Sequence, residues 1–161
     1  MQPMVEPGKP IRSRSAAGLA AGMLLAVLLA GCGGGGSKSL SHSQLAARAT
    51  TACRQAAVSV ARLDQPGAGY AALQKYANEV SPIVRQLINT LDGLKPSAAD
   101  KPALERYVNA LQSGERGLAL LADASSPAQL TQAISLLASQ SIPSLADALG
   151  APACGTTIST A

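Results

Sequence analysis

The chain has 161 residues, close to the size of one folded domain, with 13 basic and 9 acidic side chains. Apolar residues make up 47% of it but aromatics only 2%, with three Tyr and no Trp or Phe, so a core has to be assembled from Leu, Ile, Val and Ala. That composition suits closely packed helices, and with one His, His42, and three Cys, a site built from several imidazole or thiolate ligands is all but excluded.

The N-terminus carries an address. Lys9, Arg12 and Arg14 precede a charge-free run from Ala16 to Ala30, the charged and apolar regions of a signal segment. As a helix the run spans only ~22 Å, short of the ~30 Å hydrocarbon core, so removal is expected rather than a permanent span. It ends in Leu29-Ala30-Gly31-Cys32, an aliphatic residue, two small residues and a cysteine. These four positions resemble the lipobox of bacterial lipoproteins. The resemblance implies cleavage between Gly31 and Cys32 and a diacylglyceryl thioether on Cys32. Several acyl chains, at ~0.8 kcal/mol per buried CH₂, anchor a protein far better than one. Gly33 stands where lipoproteins kept on the inner membrane of two-membrane bacteria commonly carry Asp, so the expected location is the extracytoplasmic side of the cell membrane or the outer membrane.

Residues 32–40 then form a Gly- and Ser-rich tether; the polyglycine run lacks the preceding strand and the spacing of a phosphate-binding loop. Loss of residues 1–31 leaves 10 basic against 8 acidic side chains, no basic run, and too few aromatics for base stacking, so nucleic acid is not an expected partner. Arg48, Arg54 and Arg62 fall on one helix without an acid before Asp64 and read as solvated surface.

The domain is expected over residues 41–154, with a flexible tail at 155–161. Ser41 and Gln44 form a capping box, and Leu40 with Leu45 a hydrophobic staple, ahead of a stripe through Leu45, Ala49, Ala52, Ala56, Val60 and Leu63. A second helix runs from about Gly69 to Asp92. Its spacing through Leu73, Tyr76, Val80, Val84, Leu87 and Leu91 persists across Pro82, which predicts one bent helix rather than two. Asp100 is placed to cap a third helix through Leu104, Tyr107, Val108, Leu111, Leu118 and Leu121, in which Gly114 and Gly117 weaken the helix or admit a close neighbour. Ser126 starts a fourth, through Leu130, Ile134, Leu137, Ser141, Leu145 and Leu149, interrupted by Pro143 and ended by Gly150. The expected fold is all-α, an antiparallel up-down four-helix bundle. In size, Leu- and Ala-rich helices and the late Cys it resembles small helical lipoproteins common in actinobacteria, a likeness that assigns no activity.

With Cys32 lipidated, two thiols remain in an oxidising compartment, and an even number of helices returns Cys154 to the end where the first helix, with Cys53, begins. A Cys53–Cys154 disulfide is expected. No nucleophile lies beside a suitable base, no metal or haem ligand set is present, and the carboxylates fall on polar faces, so no catalytic residue, metal or cofactor is assigned. Harmless kinks are the simpler reading of Pro82 and Pro143. The alternative is that the two bends open a pocket lined by Tyr76 and Tyr107.

These readings converge on a lipid-anchored, non-catalytic helical protein, held to the membrane by its anchor. Its expected activity is interaction with an envelope protein or a structural role in the envelope; the alternative is carriage or sensing of a small apolar ligand in the core. A contiguous apolar surface on the end of the bundle away from the tether would favour the first, and an internal cavity lined by Leu, Val and Tyr the second.

Overall fold

The computed structural model describes residues 39–156. The signal segment 1–31, the cleavage pair Gly31 and Cys32, most of the tether and the last five residues lie outside them. The described residues are all-α: α1 (His42–Val60), α2 (Tyr70–Asp92), α3 (Lys101–Ala122), α4 (Pro127–Ala138), α5 (Ile142–Ala148) and α6 (Ala153–Thr156). The described residues fall within one compact unit and form an apolar core.

α1 begins as its sequence dictates. The Ser41 hydroxyl accepts from the Gln44 amide while the Gln44 side chain accepts from the Ser41 amide, satisfying two orphan donors reciprocally. Folded chain starts before Ser41, however. Leu40 is buried in the main core, and its amide donates to the Lys95 carbonyl at 2.7 Å, so the residue belongs to the domain rather than to the tether.

α2 is one helix across Pro82. It packs between α1 and α3, and that burial holds the helix although the proline removes a donor. Its N-cap is Gly69, at φ 101°, a backbone conformation that side chains with a Cβ rarely adopt. At α3 the expected cap changes. The Asp100 carboxylate makes no capping bond; it accepts from the Ser97 hydroxyl at 2.6 Å and lies 2.8 Å from His42 Nδ1, tying the start of α3 to the start of α1. Ser97 takes over the capping, its hydroxyl accepting from the Asp100 amide and its carbonyl from the Lys101 amide.

The fourth helix is not continuous. α4 stops at Ala138, and α5 begins at Ile142 with Pro143 in its first turn, the one part of a helix where proline leaves no bond unmade. Between them Ser139 Oγ and Gln140 Nε2 both donate to the Leu136 carbonyl, a local alternative to further helix. Pro82 lies inside α2, which packs along α1 and α3, whereas Pro143 stands where the chain restarts after α4, whose packing is mainly on α3 with a smaller apolar contact to α2. The place beside α1 that a fourth helix would fill is taken by α6, with α5 packing on α3 and α6. α5 closes in a Schellman motif: Ala151 N–H bonds to Ala146 C=O, Gly150 N–H to Asp147 C=O, and Gly150 takes φ 71°. Gly155 and Thr156, assigned from sequence to a tail, are helical, and Gly155 is buried.

Cys53 and Cys154 are joined, with S–S 2.02 Å, Cα–Cα 5.1 Å and both residues fully buried. The break at Ser139–Ser141 lets the chain turn inward and supplies the reach that a straight fourth helix leaves tight. Tyr107 packs on this bridge. Its hydroxyl donates to the Cys154 carbonyl at 3.1 Å and lies 3.8 Å from Cys53 Sγ.

Candidate functional site

The apolar interior is divided. The main cluster joins α1, α2, α3, α5 and α6 around the disulfide; a smaller one, centred on Ala77, Leu121 and Ala133, joins α2, α3 and α4. Side chains from both clusters line a cavity of about 500 Å³, within the ~300–1,000 Å³ range of small-molecule sites. The composition accounts for it. Ala56, Ala110, Gly114 and Ala138 offer a methyl group or nothing at this level, and the chain has no Phe or Trp to fill what they leave. A Cβ added at Gly114 would meet no atom within 4 Å, whereas three residues further on one added at Gly117 would fall 2.9 Å from Leu137 Cγ and Cδ2. Gly117 therefore lets α4 close against α3 while Gly114 helps keep the cavity open.

The lining is almost wholly apolar, with Leu, Val and Ile dominant. Among the described residues, Tyr76 and Gln140 supply its only polar side chains, and no charged residue lines it. The Tyr76 hydroxyl is shielded from solvent and has no hydrogen-bond partner among the described residues. Desolvation raises its pKa above the ordinary tyrosine value, so the group is a neutral O–H donor near neutral pH. Gln140 differs: its amide nitrogen already donates to the Leu136 carbonyl at 3.1 Å and to Ser139 Oγ at 3.0 Å. α4 forms one side of the cavity and is the least embedded long helix. Ala133 is its one buried residue, and Ile134, on the cavity wall, is 51% exposed.

Of the four residues the sequence brings forward for a pocket, the structure places two there. Tyr76 and Pro143 line the cavity. Pro82 does not, because it lies on the exposed face of α2. Tyr107 does not either; it is fully buried against the disulfide, and burial raises its pKa far above the ordinary tyrosine range. Of the small residues that shape the cavity, the sequence brings Gly114 forward only as a weak point or close approach in its helix and Ala56 only as part of a stripe, and it does not bring Ala110 or Ala138 forward.

Among the described residues no group of three or more His, Cys, Asp or Glu is arranged to hold a metal ion, and no helix is long and apolar enough to cross a membrane. His42 serves as an inter-helix tie to Asp100 and also approaches Gly150. Arg48, Arg54 and Arg62 form no ion pair with a described carboxylate; the four ion pairs present are His42–Asp100, Lys75–Glu79, Arg85–Glu115 and Lys101–Glu105. No family model matches the chain, nor does any curated protein or solved structure.

Proposed function

We propose that this protein is a lipid-anchored, extracytoplasmic, non-catalytic carrier or sensor of a small apolar ligand. The observation that carries the reading is the cavity of about 500 Å³ lined by Leu, Val, Ile and Tyr without a charged group. The anchor rests on the lipobox at Leu29 to Cys32 and the signal segment before it. An envelope-interaction module would call for a contiguous apolar surface. Among the described residues the exposed large apolar side chains are Val58, Tyr70, Leu120 and Ile134, one on each of the four longest helices; in an up-down order Val58, Tyr70 and Leu120 fall toward one end, so a partner surface there is the second reading, which the cavity outweighs.

We further propose that the long helices run up and down in chain order, with α5 and α6 replacing the last part of a fourth. Cross-contacts support this order. Gln74 near the start of α2 bonds to Ala124 just past α3, and Arg85 pairs with Glu115 further along. α4, whose packing is mainly on α3, is then the element that moves to admit a ligand.

The test is binding of an environment-sensitive apolar dye to residues 33–161 produced under oxidising conditions. The dye is expected to bind saturably, and Gly114→Leu, which puts a side chain into the open space, to reduce binding at least tenfold. Ala110→Leu serves as a second filling variant if the first unfolds on thermal melting. Undiminished binding to a folded filling variant rejects the site.

A further inference from the structure

We infer that the ligand is an uncharged amphiphile, an apolar body bearing one acceptor oxygen in a hydroxyl, ester or ether, recognised through the Tyr76 hydroxyl. The inference rests on the ligand-carrier reading and narrows it. It begins from an inventory of hydrogen-bonding groups in the cavity wall. Tyr76 brings one O–H with no partner among the described residues. Gln140 brings an amide whose nitrogen is already engaged twice, so it offers an incoming group only an acceptor. The remaining lining side chains carry no polar atom.

This inventory sorts ligand chemistries. A saturated hydrocarbon fills the cavity but leaves the Tyr76 hydroxyl orphaned, a state that is costly for a buried polar group. A carboxylate or phosphate would be stripped of water with one donor to receive it and no cation in the wall, which heavily disfavours the ionised form. An ammonium group would likewise meet no carboxylate. An ether or ester oxygen takes the Tyr76 hydrogen and leaves nothing unmatched, and a hydroxyl does the same where its own hydrogen reaches the Gln140 side-chain oxygen. The Tyr76 oxygen is closed off from water, so the bond requires the Tyr76 side chain to swing about χ1 and bring its hydroxyl to the cavity. Because Tyr76 is the unsatisfied member of the wall, it is the residue with most to gain from that movement.

The experiment is displacement of the apolar dye from residues 33–161 by three compounds with one carbon skeleton, cetyl alcohol, hexadecane and palmitate, above neutral pH where palmitate is ionised. The alcohol is expected to compete about threefold to tenfold more tightly than hexadecane, the ratio that one net hydrogen bond provides. It is expected to compete at least tenfold more tightly than palmitate. Tyr76→Phe should bring the alcohol-to-hexadecane ratio close to one while leaving hexadecane unchanged and the melting temperature undiminished. Palmitate competing as well as the alcohol, or an unchanged ratio in Tyr76→Phe, overturns the inference and leaves the carrier reading standing. Failure of the dye to bind at all overturns both.

Discussion

Two glycines three residues apart on α3 should respond oppositely to the same substitution. Gly→Ala inside a helix gains ~1 kcal/mol from backbone propensity alone. At Gly114 the added methyl meets nothing within 4 Å, so Gly114→Ala should realise most of that gain. At Gly117 the methyl would fall 2.9 Å from both Cγ and Cδ2 of Leu137 and 3.6 Å from the Ala133 carbonyl. Overpacking of this kind costs about 1–3 kcal/mol, which cancels or exceeds the gain. The two variants should therefore differ by about 1–3 kcal/mol. At roughly 4 °C per kcal/mol for a domain of this size, thermal unfolding followed by circular dichroism under oxidising conditions separates them. Gly117→Ala should also weaken dye binding, because the displaced Leu137 lines the cavity. Equal stabilisation by the two substitutions would refute the close α3–α4 approach and the open space at Gly114 together.

Replacing Cys53 and Cys154 by Ala opens a loop with a sequence separation of 101; the chain-entropy model puts the loss near 4.7 kcal/mol, measurable as a lower urea midpoint that reductant no longer shifts. Tyr107→Phe deprives the buried Cys154 carbonyl of its donor and should cost about 1–3 kcal/mol. The folded pKa of Tyr107 is raised by burial, so stability is intact below about pH 10 and falls as the unfolded chain ionises above it; the variant should show a shallower alkaline decline in urea titrations. The Asp100 carboxyl is held low, first by the Ser97 hydroxyl and then by His42. Its contribution is complete above the ordinary Asp value and is lost as pH falls through the lower folded value, so Asp100→Asn should flatten the acid limb of the stability profile while leaving the alkaline limb unchanged.

Local rules carried the sequence reading furthest where chain neighbours decide the outcome. The Ser41–Gln44 box, the start at Ser126 and the persistence of α2 through Pro82 each depend on spacing within a few residues, and each is present as read. The Cys53–Cys154 bridge followed from counting thiols. What spacing cannot convey is how tightly a helix is gripped. Pro82 and Pro143 looked alike on their stripes, yet one sits inside a long helix packed between α1 and α3 and the other in the first turn of α5, after the chain has broken. The same limit hid the cavity. Ala56 falls on an apolar stripe as Ala49 does, and both are buried in the main core, but Ala56, with Ala110 and Gly114, also lines the cavity whereas Ala49 does not. Asp100 looked like a cap because its type favours that place. The partners that draw its carboxylate away are Ser97, three residues before it, and His42, 58 residues distant in the chain.

The central claim, a small uncharged molecule held in the core of a lipid-anchored domain, is met most directly by native mass spectrometry of the protein purified from its own envelope. The account expects a protein lacking residues 1–31 and acylated on Cys32, with a neutral adduct that leaves on denaturation and is absent from a folded Gly114→Leu protein. An acylated protein carrying no adduct, or an adduct retained equally by the filled variant, would contradict it.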